Sequence, residues 1–192
     1  MNENNVLLLA VGDGAINIVE QNMEKLSDYF SVATIRKDVY FDSADAQWQS
    51  MLKLVVPQDV KYVCLLNCLG GDDDLTILSI MNACVSRDIL VIGALVFPFS
   101  FEGSSRFQLA DSKLSIMEKG IPQFDSVEFD EACTKYNSCH CIIKFFNDDM
   151  FLHFPNDLFH KALRHFNEEI CDGIISYVNE FFDEVHSIPK YD

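Results

Sequence analysis

The sequence predicts an α/β domain, a three-layer and mostly parallel sheet with helices on both faces, and three observations carry that expectation. Runs of strand length, VLLLAV at 6–11, KYVCLLNCL at 61–69 and DILVIGALVF at 88–97, are continuously apolar, as strands covered on both faces are. Segments with apolar residues at helical spacing separate them. Glycine-bearing turns, GDGA after the first run and LGGD after the second, stand where strands hand over to helices.

In order, VLLLAV is a strand and INIVEQNMEKLSDYF (16–30) one amphipathic helix. FSVATI (30–35) is a second strand, AQWQSMLKLV (46–55) a short helix and KYVCLLNCL the third strand. LTILSIMNACVSR (75–87) reads as a buried helix, DILVIGALVF as a strand and SSRFQLADSKLSIMEKG (104–120) as an amphipathic helix. SVEF (126–129) and CHCIIKFF (139–146) are strands, and 158–185 is a long helical stretch, one helix or two. Sheets of this kind bind ligands beyond the carboxyl ends of their strands, which points to the loops at 12–15, 70–74 and 98–106.

The chain of 192 residues suits one domain over 1–192, and 49% apolar residues fill a core. No apolar run nears the roughly 20 residues of a membrane span, and MNENNVLLLA lacks a basic leader, so a cytoplasmic protein without membrane association is expected. A net charge of −16 repels nucleic acid, leaving a small molecule, a protein partner or self-association. Seven cysteines at irregular spacing fit reduced thiols.

VFPFSFEGSSRF (96–107) spaces Glu102 and Arg106 around Gly103, four residues apart at a helix start, where they can pair with each other. AVGDGAINIV carries Gly12, Gly14 and Asn17, and the stretch from Asn67 to Gly103 holds LGGDDDL, with Gly70 and Gly71. Together these loops resemble the nucleotide-binding half of the FtsZ/tubulin superfamily, whose glycine-rich first loop, phosphate signature and Phe-Glu-Gly-x-x-Arg segment follow in that order. The resemblance implies nucleotide contacts at Gly12, Gly14, Asn17, Gly70 and Gly71, and sugar and phosphate-side contacts at Glu102 and Arg106. At the base it implies Asn147, preferred over Asn156, together with Glu168 in FNEEICDGIISYV, which resembles the start of the family's central helix. Its ligand would be GTP or GDP, with Mg²⁺, in a cell-division or cytoskeletal role.

Three departures bear on that expectation. Where the family's signature has further glycines and a threonine, this chain has Asp72, Asp73 and Asp74. Like charges about 4 Å apart repel by about 4 kcal/mol at an effective dielectric near 20, so carboxylates there oppose a diphosphate. They serve a helix start as caps, or alternatively a Mg²⁺ ion, and capping is the preferred reading. The segment expected to sense a γ-phosphate is short, and the family's second domain and its acidic activating loop are missing after HSIPKYD. No catalytic residue is assigned and hydrolysis is expected to be weak or absent; the alternative is a non-catalytic interaction module, a pseudo-GTPase on the inherited fold.

Cys139, His140 and Cys141 suggest zinc, but in a strand the two thiols and the imidazole point to opposite faces, so core cysteines are preferred. Cys68 stands at a strand end beside the glycine turn as a thiol for labelling. The stripe Ile174, Tyr177, Val178, Phe181, Phe182 and Val185 either packs on the sheet or docks a partner.

Overall fold

The apolar runs pair side by side into one five-stranded, all-parallel sheet of order β2-β1-β3-β4-β5. The computed structural model describes residues 6–36, 55–71, 74–85, 87–119 and 141–187. Along the chain these form β1 (Val6–Val11), α1 (Asp13–Gln21), α2 (Met23–Ser27), β2 (Ser31–Ile35), β3 (Tyr62–Cys68) and α3 (Asp74–Val85). Then come β4 (Leu90–Phe97), a 3₁₀ turn at Ser100–Glu102, α4 (Ser104–Lys119), β5 (Cys141–Phe146), α5 (Asp149–His153) and α6 (Phe159–Ser187).

Alternate residues of each inner strand enter opposite layers, so a continuous apolar run fills two cores. Leu8, Ala10, Cys64, Leu66, Ile92 and Ala94 join α1, α2 and α6 on one face. Leu7, Leu9, Val63, Leu65, Val91 and Leu95 join α3 and α4 on the other. The three-layer α/β class expected from the sequence is the architecture found.

The helix expected over 16–30 is two helices, α1 and α2, broken at Asn22. The buried Asn22 amide donates Nδ2 to the Ile18 carbonyl at 2.9 Å, while its own N–H turns to Val19 at 3.0 Å. The side chain thereby takes the acceptor that the Asn22 N–H itself would use in a continuing α-helix. The last long stretch is one helix, α6. Of its apolar stripe, Ile174, Val178 and Phe182 are buried on the sheet, and the Phe182 ring meets Tyr62 edge-on with centroids 4.6 Å apart.

The expected helix at 46–55 lies, apart from Val55, outside the described residues, as do the expected strand at 126–129, Asp72, Asp73, Cys139 and His140. Among the described residues, no helix is long and apolar enough to cross a membrane.

Candidate functional site

Between β1 and β3 the chain changes the direction in which it lays down strands, and at such a switch point the loops beyond the strand ends diverge to leave a crevice. A cavity of about 310 Å³ opens there. Its described wall comprises Val11, Gly12, Asp13 and Gly14 at the end of β1 and just beyond it, Cys68, Gly70 and Gly71 at the end of β3 and just beyond it, Val96, Pro98, Glu102 and Arg106 from the end of β4 to the start of α4, and Asn147 after β5. The described wall carries two carboxylates, Asp13 and Glu102, and one cation, Arg106.

Two glycines shape its β1 side. Gly12 has φ 84° and ψ 158°, a conformation that residues with a Cβ rarely adopt, and this bends the chain from strand into α1. A Cβ on Gly14 would stand 2.8 Å from Cys68 Sγ, so the absence of a side chain lets the start of α1 lie against the end of β3. Beneath them, fully buried Asn67 donates Nδ2 to the Val11 carbonyl at 3.0 Å and ties the two strand ends together.

On the other side, α4 grips the turn that follows β3. Arg106 donates Nη1 to the Gly70 carbonyl at 2.9 Å, and Lys113, two turns further along the same face, donates to the Gly71 carbonyl from a side chain that is 3% exposed. Glu102 accepts the Phe99 N–H at 2.8 Å through one carboxylate oxygen and holds the other 3.6 Å from Arg106 Nη1. Both the wall position and the helix-start pair foreseen for Glu102 and Arg106 are therefore present in one arrangement.

Seven of the nine residues singled out in the sequence line this cavity: Gly12, Gly14, Gly70, Gly71, Glu102, Arg106 and Asn147. Asn147 is placed by its own N–H, which donates to the Phe97 carbonyl at 3.3 Å, whereas Asn156 is exposed and lies off the wall. Asn17 is exposed on α1 and Glu168 on α6, and neither belongs to the wall. Glu168 lies instead near Lys25, whose ammonium is held above its ordinary pKa first by the hydrogen bond to Asp172 and in smaller part by the Glu168 charge.

Sequence reasoning passed over Asp13, although it stands between the two glycines already singled out, and it passed over the Asn67 tie. Several backbone donors of these loops are already used: Gly12 N–H on Ile35, Leu69 N–H on Val96 and Gly71 N–H on Cys68, at 3.0, 2.9 and 3.2 Å. The described wall holds no histidine or lysine. Among the described residues, no group of three histidine, cysteine or acidic side chains is placed to hold a metal ion. The polar side chains of the described wall are the carboxylates of Asp13 and Glu102, the Arg106 guanidinium, the Asn147 amide and the Cys68 thiol. No protein-family model matches the chain, and no curated protein matches it.

Proposed function

We propose that this protein is a divergent FtsZ-like protein with a guanine-nucleotide-type pocket, little or no GTP hydrolysis, and a cell-division or cytoskeletal role. The observation that carries the reading is convergence. Residues from four separate stretches of sequence, singled out for their likeness to nucleotide-binding loops, line one cavity at the switch point of the sheet. The strand order itself is shared by many doubly wound proteins, so the reading rests on the wall and not on the sheet. The expectation of weak hydrolysis rests on the sequence, where Asp72, Asp73 and Asp74 replace the further glycines and the threonine of the family's phosphate signature. Calorimetric titration with guanosine, GDP, adenosine and ADP tests it: guanine compounds bind more tightly than their adenine counterparts, and the Asn147→Ala variant loses that preference. Equal affinities for the two bases, or no binding of guanine compounds at millimolar concentration, ends the reading.

A second reading, a non-catalytic interaction module, is favoured by a separate observation. Phe101, Phe151 and Phe159 are 66%, 46% and 49% exposed and surround Phe99 with ring centroids 4.9–5.7 Å away, next to Leu152 and Leu158 at 77% and 70% exposure. Contiguous exposed apolar surface of this kind marks contact sites. Sedimentation of the purified protein against a Phe101→Ser variant tests self-association through it; a monomer at every concentration in both proteins excludes the patch as a self-contact.

A further inference from the structure

We infer that the cavity takes the unphosphorylated nucleoside and discriminates against its diphosphate and triphosphate. This rests on the nucleotide-type reading of the pocket and narrows its ligand class.

Charge is the first ground. Asp13 and Glu102 against Arg106 leave the described wall with one net negative charge, in a chain whose formal charge is −16. A single carboxylate about 4 Å from a phosphate weakens binding by roughly fivefold in a water-like dielectric and by about a thousandfold at a protein edge. Arg106, the one cation of the described wall, does not offset this, because it is already engaged by the Gly70 carbonyl and lies beside the Glu102 carboxylate.

Hydrogen-bond supply is the second. Phosphate sites in glycine turns work through converging backbone N–H groups and a helix amino end. Here the N–H groups of Gly12 and Gly71 are spent on protein carbonyls. The positive end of α1 has its own anion, since Asp13 stands in the first turn. Asp13 thus sets one negative charge at the helix end where a phosphate would otherwise sit.

Size and chemistry are the third. A volume of about 310 Å³ is at the lower end of small-molecule pockets, which run from roughly 300 to 1,000 Å³. Glu102 and the half-buried Asn147 suit a ribose hydroxyl and a base edge, which carry no charge.

Titration with guanosine, GDP and GTP, each with and without Mg²⁺, tests the inference in the wild-type chain and in Asp13→Asn and Glu102→Gln. Gln keeps an acceptor for the Phe99 N–H, and Asp13 is exposed, so thermal melts check that both variants fold. The expected result is guanosine at least tenfold tighter than GDP, GDP tighter than GTP, and a gap several-fold narrower in each variant. Nucleotide affinity equal to or above that of guanosine under either Mg²⁺ condition overturns this inference and leaves the nucleotide-type pocket standing. A gap unchanged in both folded variants overturns the electrostatic account. No binding of any of the three overturns the pocket reading and this inference together.

Discussion

Asn67 donates its amide to the carbonyl of Val11 at 3.0 Å, and these two residues also stand in register as the last pair of β1 and β3. The bond is fully buried and lies under the mouth of the cavity, so it fixes how far the two strand ends separate before their loops diverge. Replacing Asn67 by Ala leaves a buried carbonyl unsatisfied, which costs about 1–3 kcal/mol. Urea unfolding of Asn67→Ala is expected to show a midpoint lowered accordingly at an unchanged slope. A stability within 0.3 kcal/mol, roughly the additivity error of such measurements, contradicts a structural role for the tie.

Gly14 opposes two effects. Alanine inside a helix gains up to about 1 kcal/mol over glycine, but a Cβ here would stand 2.8 Å from Cys68 Sγ and 3.0 Å from Cys68 Cβ. Overpacking of this kind costs about 1–3 kcal/mol, so Gly14→Ala is expected to be destabilising by about 1 kcal/mol net. Cys68→Ala removes the nearer obstacle, and the cost of Gly14→Ala should shrink in that background. A double-mutant cycle with a coupling of about 0.5–1.5 kcal/mol is the expected reading, and strict additivity would show that the contact is relieved in some other way.

His153 places Nδ1 2.7 Å from a Glu169 carboxylate oxygen on α6. The hydrogen bond and then the charge of Glu169, with a smaller contribution from Asp149, raise its pKa above the ordinary 6.5. A raised folded-state pKa means that the pairing supports the fold in full below the unfolded value and is lost as pH rises through the folded value. Both groups are exposed, so the shift should also shrink in 1 M salt, where the Debye length is about 3 Å. An NMR titration of His153 in wild-type and Glu169→Gln protein checks this. The wild-type midpoint should lie above the variant's, and coincident curves would show that the pair does not persist in solution.

The sheet was legible because β1, β3 and β4 are buried on both faces and therefore read as unbroken apolar runs. The break at Asn22 was not, because periodicity continues through it, and only the side chain's capture of the Ile18 carbonyl separates α1 from α2. Helix α5 has five residues, too few for a helical period to show. At the site, Gly12, Gly14, Gly70 and Gly71 announce themselves as turn residues after apolar runs. The engagement of Arg106 by Gly70 does not, since its partner lies 36 positions away. Sequence thus pointed to much of the wall and missed which of its groups the protein itself already engages, such as Arg106 on the Gly70 carbonyl.

Thiol reactivity divides the described cysteines by environment. Burial pushes Cys84 and Cys171 up to about 12, against small lowering contributions from Arg87 and Lys25 respectively. At pH 8 a thiol with a pKa near 12 is thiolate in about one molecule in ten thousand, and the thiolate is the nucleophile. Cys141 is raised by burial too, with a smaller lowering contribution from its hydrogen bond to Tyr177. Cys68 is half-buried on the cavity wall. Alkylation at pH 8 followed by peptide mapping should therefore modify Cys68 well before Cys84 and Cys171, and all three at comparable rates once the chain is unfolded in urea. On the proposed nucleoside reading of the cavity, guanosine should slow the Cys68 reaction without changing the other two. Early modification of Cys84 or Cys171 in the native protein would mean that the two cores on either side of the sheet open more readily than their packing implies.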